Sequence, residues 1–181
     1  MNKALRFIII VLSVLFILVT GAYCGVRYLY PVEYEAQITK CSDEFGVSRE
    51  LVLAVVKCES GFDADAVSSV GAVGLMQLTP DTFEWVQKKL DGSVSYDRQA
   101  LFDPDINIRY GVYLLKLHLD EFEDEKVALA AYHAGRGKVN EWLADPDISP
   151  DGKTLSYIPY NDTSIHVEKV AKTIKIYEFL Y

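Results

Sequence analysis

Charge is missing from one long stretch of this sequence, and cysteine, methionine and tryptophan are scarce throughout, at three, two and two residues in 181. No cluster of Lys and Arg occurs, so the basic footprint of a nucleic-acid-binding protein is excluded. There is no internal repeat and no low-complexity segment, which excludes solenoids. With half the residues hydrophobic and 12% aromatic, the chain is not disordered either. Cys24, Cys41 and Cys58 are odd in number and evenly spaced, and they match neither a disulfide framework nor a zinc pattern. Cys41 and Cys58 are read as buried free thiols, a bridge between them being the alternative. His118, His133 and His166 have no metal-ligand spacing, so neither a metal nor a cofactor is expected.

The uncharged stretch runs from Phe7 to Val26, 20 residues behind Lys3 and Arg6. About 20 apolar residues cross a bilayer core as a helix. A cleaved signal peptide has an apolar region of only about 7–15 residues, although Thr20-Gly21-Ala22 offers a cleavage site. The expectation is a single-pass membrane anchor over residues 1–30 and a globular domain over 31–181, with secretion after cleavage as the alternative. A lipoprotein fits less well, because Tyr23 precedes Cys24. Lys3 and Arg6 favour a cytoplasmic N-terminus, against some opposition from Arg27, so the domain is expected on the extracytoplasmic side. Apart from Lys3 and Arg6, 16 basic side chains face 26 acidic ones, a formal charge of −10 that speaks to solubility.

Beyond the anchor the patterning is helical. A first helix is predicted from about Val32 to Phe45, with Ile38, Cys41 and Phe45 on one face and Gly46 as the stop. Ser48 is a candidate cap for an apolar helix ending near Glu59. Residues 61–79 read as a loop, and Pro80 opens a helix to Leu90. Asp103-Pro104 starts another, followed by an Ala-rich helix over Glu125–Ala134 and a short one over Val139–Leu143. A proline-containing loop spans 144–160. A last helix from about Asp162 to Leu180 turns Val167, Val170, Ile174 and Tyr177 inward. The fold class is all-α.

Glu59 closes a run, Leu51 to Cys58, in which only Lys57 is charged. Unsatisfied carbonyls give a helix C-terminus a partial negative charge, which opposes an ionised carboxylate. Burial beside Val55 and Val56 acts in the same direction, and a carboxyl that keeps its proton is what a general acid needs. Taken alone, a solvated acid at a helix end is the favoured reading of the residue.

Its context points further. "ESGF" at 59–62, "GAVGLMQLTP" at 71–80, "AYHAG" at 131–135 and "IPYNDTSIHVEKV" at 158–170 occur in this order. Together they resemble the soluble-lytic-transglycosylase (SLT) type of murein lytic transglycosylase, in the lysozyme-like superfamily, across about residues 35–181. The resemblance implies a lysozyme-like helical domain that cleaves peptidoglycan, with Glu59 as the catalytic acid. It implies substrate-binding roles for Ser60, Ser68, Met76, Gln77, Tyr132, His133 and Asp162. The Tyr132 hydroxyl is expected to touch the catalytic carboxyl, and Gly71 and Gly74 to let backbone approach the sugar. Gln77 is expected to donate to and accept from the glycan. Asp63 and Asp65 are read as loop-capping residues. Trp85 and Trp142 are read as core or groove-wall aromatics.

Two positions depart from the family pattern. His133 stands where the family has Asn, and His166 where it has Tyr. Either both are neutral drift, or they bring titrating groups to the groove. With no second acid in a comparable setting, a conventional two-carboxylate glycosidase is disfavoured. The resemblance implies substrate-assisted cleavage between N-acetylmuramic acid and N-acetylglucosamine, closing a 1,6-anhydro ring. The competing readings are a goose-type lysozyme-like hydrolase and a non-catalytic peptidoglycan-binding module. The partners expected are peptidoglycan strands and the membrane, with no nucleic acid.

Overall fold

The computed structural model describes residues 2–181, and its contacts divide the chain into two units, one up to Val32 and one from Glu33 to Phe179. The first is built on α1 (Lys3–Leu29), 27 residues with none buried, long and apolar enough to cross a membrane. At 1.5 Å per residue it reaches about 40 Å, more than the hydrocarbon core of about 30 Å.

The second unit is helical: α2 (Glu35–Phe45), α3 (Arg49–Glu59), α4 (Pro80–Leu90), a 3₁₀ turn (Arg98–Phe102), α5 (Pro104–Glu121), α6 (Glu125–Ala134), α7 (Arg136–Leu143) and α8 (Asn161–Leu180). Among the described residues, extended pairing is limited to two isolated bridges, Val67 with Val73 and Val73 with Leu78. The helix starts are capped as the residue types dictate. Ser48 Oγ accepts from Leu51 N at 3.1 Å, Thr79 Oγ1 from Thr82 N at 3.2 Å and Asp124 Oδ1 from Val127 N at 3.0 Å. Asp103 Oδ1 accepts from Asp105 N at 2.8 Å, with Pro104 at the first helical position, and such caps contribute about 1 kcal/mol each. Three points differ from expectation, one being that α7 starts at Arg136, three residues before Val139. α2 starts at Glu35 because Tyr34 turns left-handed, φ 53°, and the 3₁₀ turn was not legible because so short an element has no periodicity to read.

α3 runs through the centre, with every residue from Leu51 to Val56 at most 3% exposed. That burial explains why its apolar run shows no amphipathic stripe. α6 presents Ala128, Ala130 and Ala131, all buried, and so lets its neighbours approach closely. On α8 the inward residues are Thr163, Val167, Val170, Thr173 and Tyr177, with Ile174 only half-buried. Thr173 takes the inward place because its Oγ1 meets Cys58 Sγ at 3.6 Å. Cys41 and Cys58 are free thiols, and burial pushes both above their ordinary range.

Candidate active site

Glu59 is the last residue of α3, and the chain turns sharply after it. Gly61 and Phe62 both take positive φ, 64° and 73°. The left-handed conformation is unfavourable for Phe62, and burial of its ring to 4% exposure offsets that cost. Ser60 holds the turn: its Oγ lies 2.9 Å from the Leu75 carbonyl and 3.2 Å from the Val56 carbonyl, and accepts from Phe62 N. The Ser60 hydroxyl is therefore committed to backbone and frames the site without facing a ligand. Asp63 Oδ1 accepts from Asp65 N at 2.9 Å, the loop-capping arrangement read from the sequence.

The opposite wall is the 66–79 loop. Ser68 N donates to Ala72 O and Ser68 Oγ accepts from Ala72 N at 3.0 Å, which closes the loop tip. Gln77 is also left-handed, φ 48°, and its Nε2 donates to Ala66 O at 3.1 Å and Gly74 O at 2.9 Å. Both amide hydrogens are thus used within the loop. What Gln77 can offer a ligand is acceptance, not the donation and acceptance first expected.

Asn107 on α5, 1% exposed, clamps this loop from beneath. Its Nδ2 donates to Val73 O at 2.9 Å and Leu101 O at 2.8 Å, and its Oδ1 accepts from Met76 N at 2.8 Å. Gly74 serves the same packing. A Cβ there would fall 2.2 Å from Asn107 Nδ2 and 2.4 Å from Leu101 O, so the close approach is to protein and not to a sugar. The Met76 side chain is fully buried and lies against Gly111, where a Cβ would meet Met76 Sδ at 2.4 Å. Met76 is a core residue that shapes the turn and leaves no side-chain surface for substrate. The sequence reading missed Asn107, although its place four residues, one helical turn, before Gly111 and on the buried side of α5 is the signal that would find it.

Tyr132 on α6 corrects a further expectation. Its hydroxyl donates to Met76 O at 2.7 Å and so braces the loop without bonding the Glu59 carboxyl. Burial, with the Glu59 charge adding, pushes the Tyr132 phenol well above its ordinary value, which leaves it a donor throughout the working pH range.

Between these walls lies a cleft of about 370 Å³, lined by Glu59, Ser68, Gln77, Thr82, Tyr132 and His133 among others. Glu59 is the single carboxylate on that lining among the described residues. An adjoining cleft of about 330 Å³ shares Thr82, Leu114, Tyr132 and Gly135 with it and extends past Trp85, which is 37% exposed. Trp142, by contrast, is buried. Asp162 is exposed at the start of α8, its Oδ1 accepting from Thr163 N, and it does not reach the cleft wall.

α8 brings two basic side chains to the end of α3. His166 Nε2 lies 3.2 Å from Glu59 Oε1, with the two side chains 11% and 13% exposed, and Lys169 Nζ donates to Cys58 O at 3.4 Å. The negative field of the helix end therefore does not act on Glu59 alone. His133 stacks on His166, ring centroids 4.3 Å apart and 26° between planes, and His133 Nδ1 is 3.1 Å from Thr163 Oγ1. Loss of solvent around its ring, and then the His166 charge, lower the proton affinity of His133, with Glu59 and Asp162 opposing. The two positions that depart from the family pattern are thus in contact with each other, and one touches the candidate acid.

The model of the transglycosylase SLT domain family matches residues 36–153. The soluble lytic murein transglycosylase of Salmonella typhimurium is 29% identical over 143 residues, 78% of this chain and 22% of that protein. A transglycosylase of Enterobacteria phage PRD1 is 37% identical over 121 residues, 67% of this chain and 41% of that protein. Among solved structures, an inactive glutamate-to-glutamine mutant of the lytic transglycosylase Slt from Pseudomonas aeruginosa superimposes with a TM-score of 0.73 at 32% identity, covering 85% of this chain and 25% of that one. The chain thus spans about a quarter or less of the length of the Salmonella and Pseudomonas proteins. The matched stretch takes in most of the chain and every residue named on the cleft wall, and this protein belongs to the transglycosylase SLT domain family, on a lysozyme-like all-helical fold.

Proposed function

We propose that this protein is a membrane-anchored murein lytic transglycosylase that cleaves the β-1,4 bond between N-acetylmuramic acid and N-acetylglucosamine without water. The observation that carries the reading is the single carboxylate on the cleft wall. A two-carboxylate glycosidase needs a partner acid about 5–9.5 Å away, and among the described residues the lining around Glu59 supplies none, the Asp81 carboxylate lying on the adjoining cleft. One group then serves as acid and base in turn. Glu59 donates its proton to the glycosidic oxygen as the C1–O bond breaks, and the acetamido oxygen of the substrate stabilises the cation at C1. The Glu59 carboxylate next takes the proton of the muramic 6-hydroxyl while O6 bonds to C1. The products are a 1,6-anhydro end and a free 4-hydroxyl, and Glu59 regains its proton.

Ser68, Gln77 and His133 are assigned to glycan binding, and Tyr132 to bracing the wall behind the acid. In the anchored form α1 holds the chain in the cytoplasmic membrane and the domain faces the murein outside.

Digestion of purified peptidoglycan followed by mass spectrometry tests the reading. Wild-type protein is expected to release fragments with 1,6-anhydro ends. Reducing muramic acid ends would instead mark a lysozyme-like hydrolase, and no cleavage would mark a binding module. Glu59→Gln keeps the size and removes the acid, and it is expected to lower the rate by roughly 10²–10⁴-fold. Undiminished cleavage by that variant would remove Glu59 from its role.

A further inference from the structure

A catalytic carboxyl must hold a proton at working pH, and the ordinary range of an isolated glutamate, about 4.3, lies well below neutrality. Here the carboxyl is paired with an imidazole: His166 Nε2 sits 3.2 Å from Glu59 Oε1, and both side chains are largely shielded from water. At this distance a proton can pass directly between the imidazole and the carboxyl.

We propose that His166 is the proton reservoir of Glu59, a positioning residue that stores the catalytic proton across this contact and yields it to the carboxyl when substrate fills the cleft. The proposal rests on Glu59 acting as the general acid. In the open cleft the pair is an imidazolium and a carboxylate. A sugar covering the site excludes water and disfavours separated charges, so the proton crosses from Nε2 to Oε1. This leaves a neutral imidazole and a carboxylic acid. A half-turn about the Cγ–Cδ bond of Glu59 then presents the acid hydrogen to the glycosidic oxygen. No proton is created or lost, since the 6-hydroxyl of the substrate returns one to Glu59 at the end of the cycle.

The surroundings suit transfer in this direction. His133 is stacked on His166 at 4.3 Å, and two imidazolium rings at that distance repel, so at most one of them carries charge. Loss of solvent and the His166 charge both hold His133 toward its neutral form. The other titratable or charged groups around the pair are Cys58 on α3, Tyr132 on α6, and Asp162 and Lys169 on α8. The Cys58 thiol and the Tyr132 phenol are both pushed toward their neutral forms. Lys169 is engaged with the Cys58 carbonyl, and Asp162 is exposed. Glu59 is therefore the one carboxylate at hydrogen-bonding distance from His166 among the described residues.

The test is the pH profile of kcat/KM on purified murein for the wild type, His166→Gln and His166→Tyr. Neither replacement stores a proton near neutrality, while Gln keeps an N–H donor and Tyr restores the residue of the family pattern. In both variants the alkaline limb is expected to move toward acid by one to two units. Activity at pH 7 then falls by roughly 10–100-fold and recovers on acidification, following the gap between the imidazole and carboxylate ranges. A limb that stays in place, or a uniform loss at every pH, would overturn the proposal, because a packing role scales the profile without shifting it. A second measurement needs no turnover: ¹⁵N-imidazole NMR of the intact protein should show the His166 midpoint dropping in Glu59→Gln. An unchanged midpoint would also overturn it. Cleavage by Glu59→Gln at the wild-type rate would instead defeat the functional reading, so the two failures are distinguishable.

Discussion

Single residues carry most of the chemistry of this cleft, and several do so through backbone. Glu59 supplies the one carboxylate on its cleft wall among the described residues, but Ser60, Gln77 and Tyr132 all use side-chain donors on main-chain carbonyls of the site itself. A buried histidine shows how one residue also ties stability to pH. His118 is 4% exposed, its Nδ1 has no hydrogen-bond partner among the described residues, and burial lowers its pKa to about 4. The unfolded chain binds this proton near pH 6.5 and the folded protein does not, so the unfolded state gains as pH falls. Stability is full above about 6.5 and drops progressively down to about 4, by about 3 kcal/mol in all. Denaturant titrations at pH 7 and pH 4.5 should show this loss in the wild type and a smaller one in His118→Leu. Equal losses would show that His118 is not the group responsible.

At the scale of elements, the site is an assembly of helix ends and one clamped loop. α3 delivers Glu59, α6 delivers Tyr132 and His133, α8 delivers His166, and the 66–79 loop forms the facing wall. α5 holds that loop through the three hydrogen bonds of Asn107 and through the Gly111 contact with Met76. Asn107→Ala strands two carbonyls and one N–H in a dry interior, and it is expected to cost about 3 kcal/mol in a urea titration. It should also raise KM more than it lowers kcat, because the wall loosens while the acid stays on α3. A change in kcat alone would place the effect on Glu59 instead.

The whole molecule joins an apolar helix long enough to cross a membrane to a helical unit with its own core. α1 has no buried residue, whereas the helical unit has its own apolar core around α3. Removing residues 1–30 should therefore yield a soluble, folded domain that still digests isolated murein, while the full chain partitions with membranes. Loss of helical circular dichroism in the truncated protein would show that the domain depends on α1.

Much of this is legible in the sequence itself. The 20-residue uncharged run, the caps at Ser48 and Asp103, Pro80 and Pro104 at helix starts, and the ordered motifs around Glu59 are local signals that act within a few residues. Such signals determined the helices, the membrane-length segment, the family resemblance and the choice of acid. Tertiary structure decided what each side chain touches. It turned Met76 into the core, bound the Gln77 amide hydrogens to its own loop, aimed Tyr132 at Met76 O and left Asp162 outside the cleft. It also brought His166, 107 positions along the chain, to 3.2 Å from Glu59 with His133 stacked upon it. No local rule contains that meeting, because it depends on how α8 packs across the ends of α3 and α6, and packing is a property of surfaces far apart in sequence.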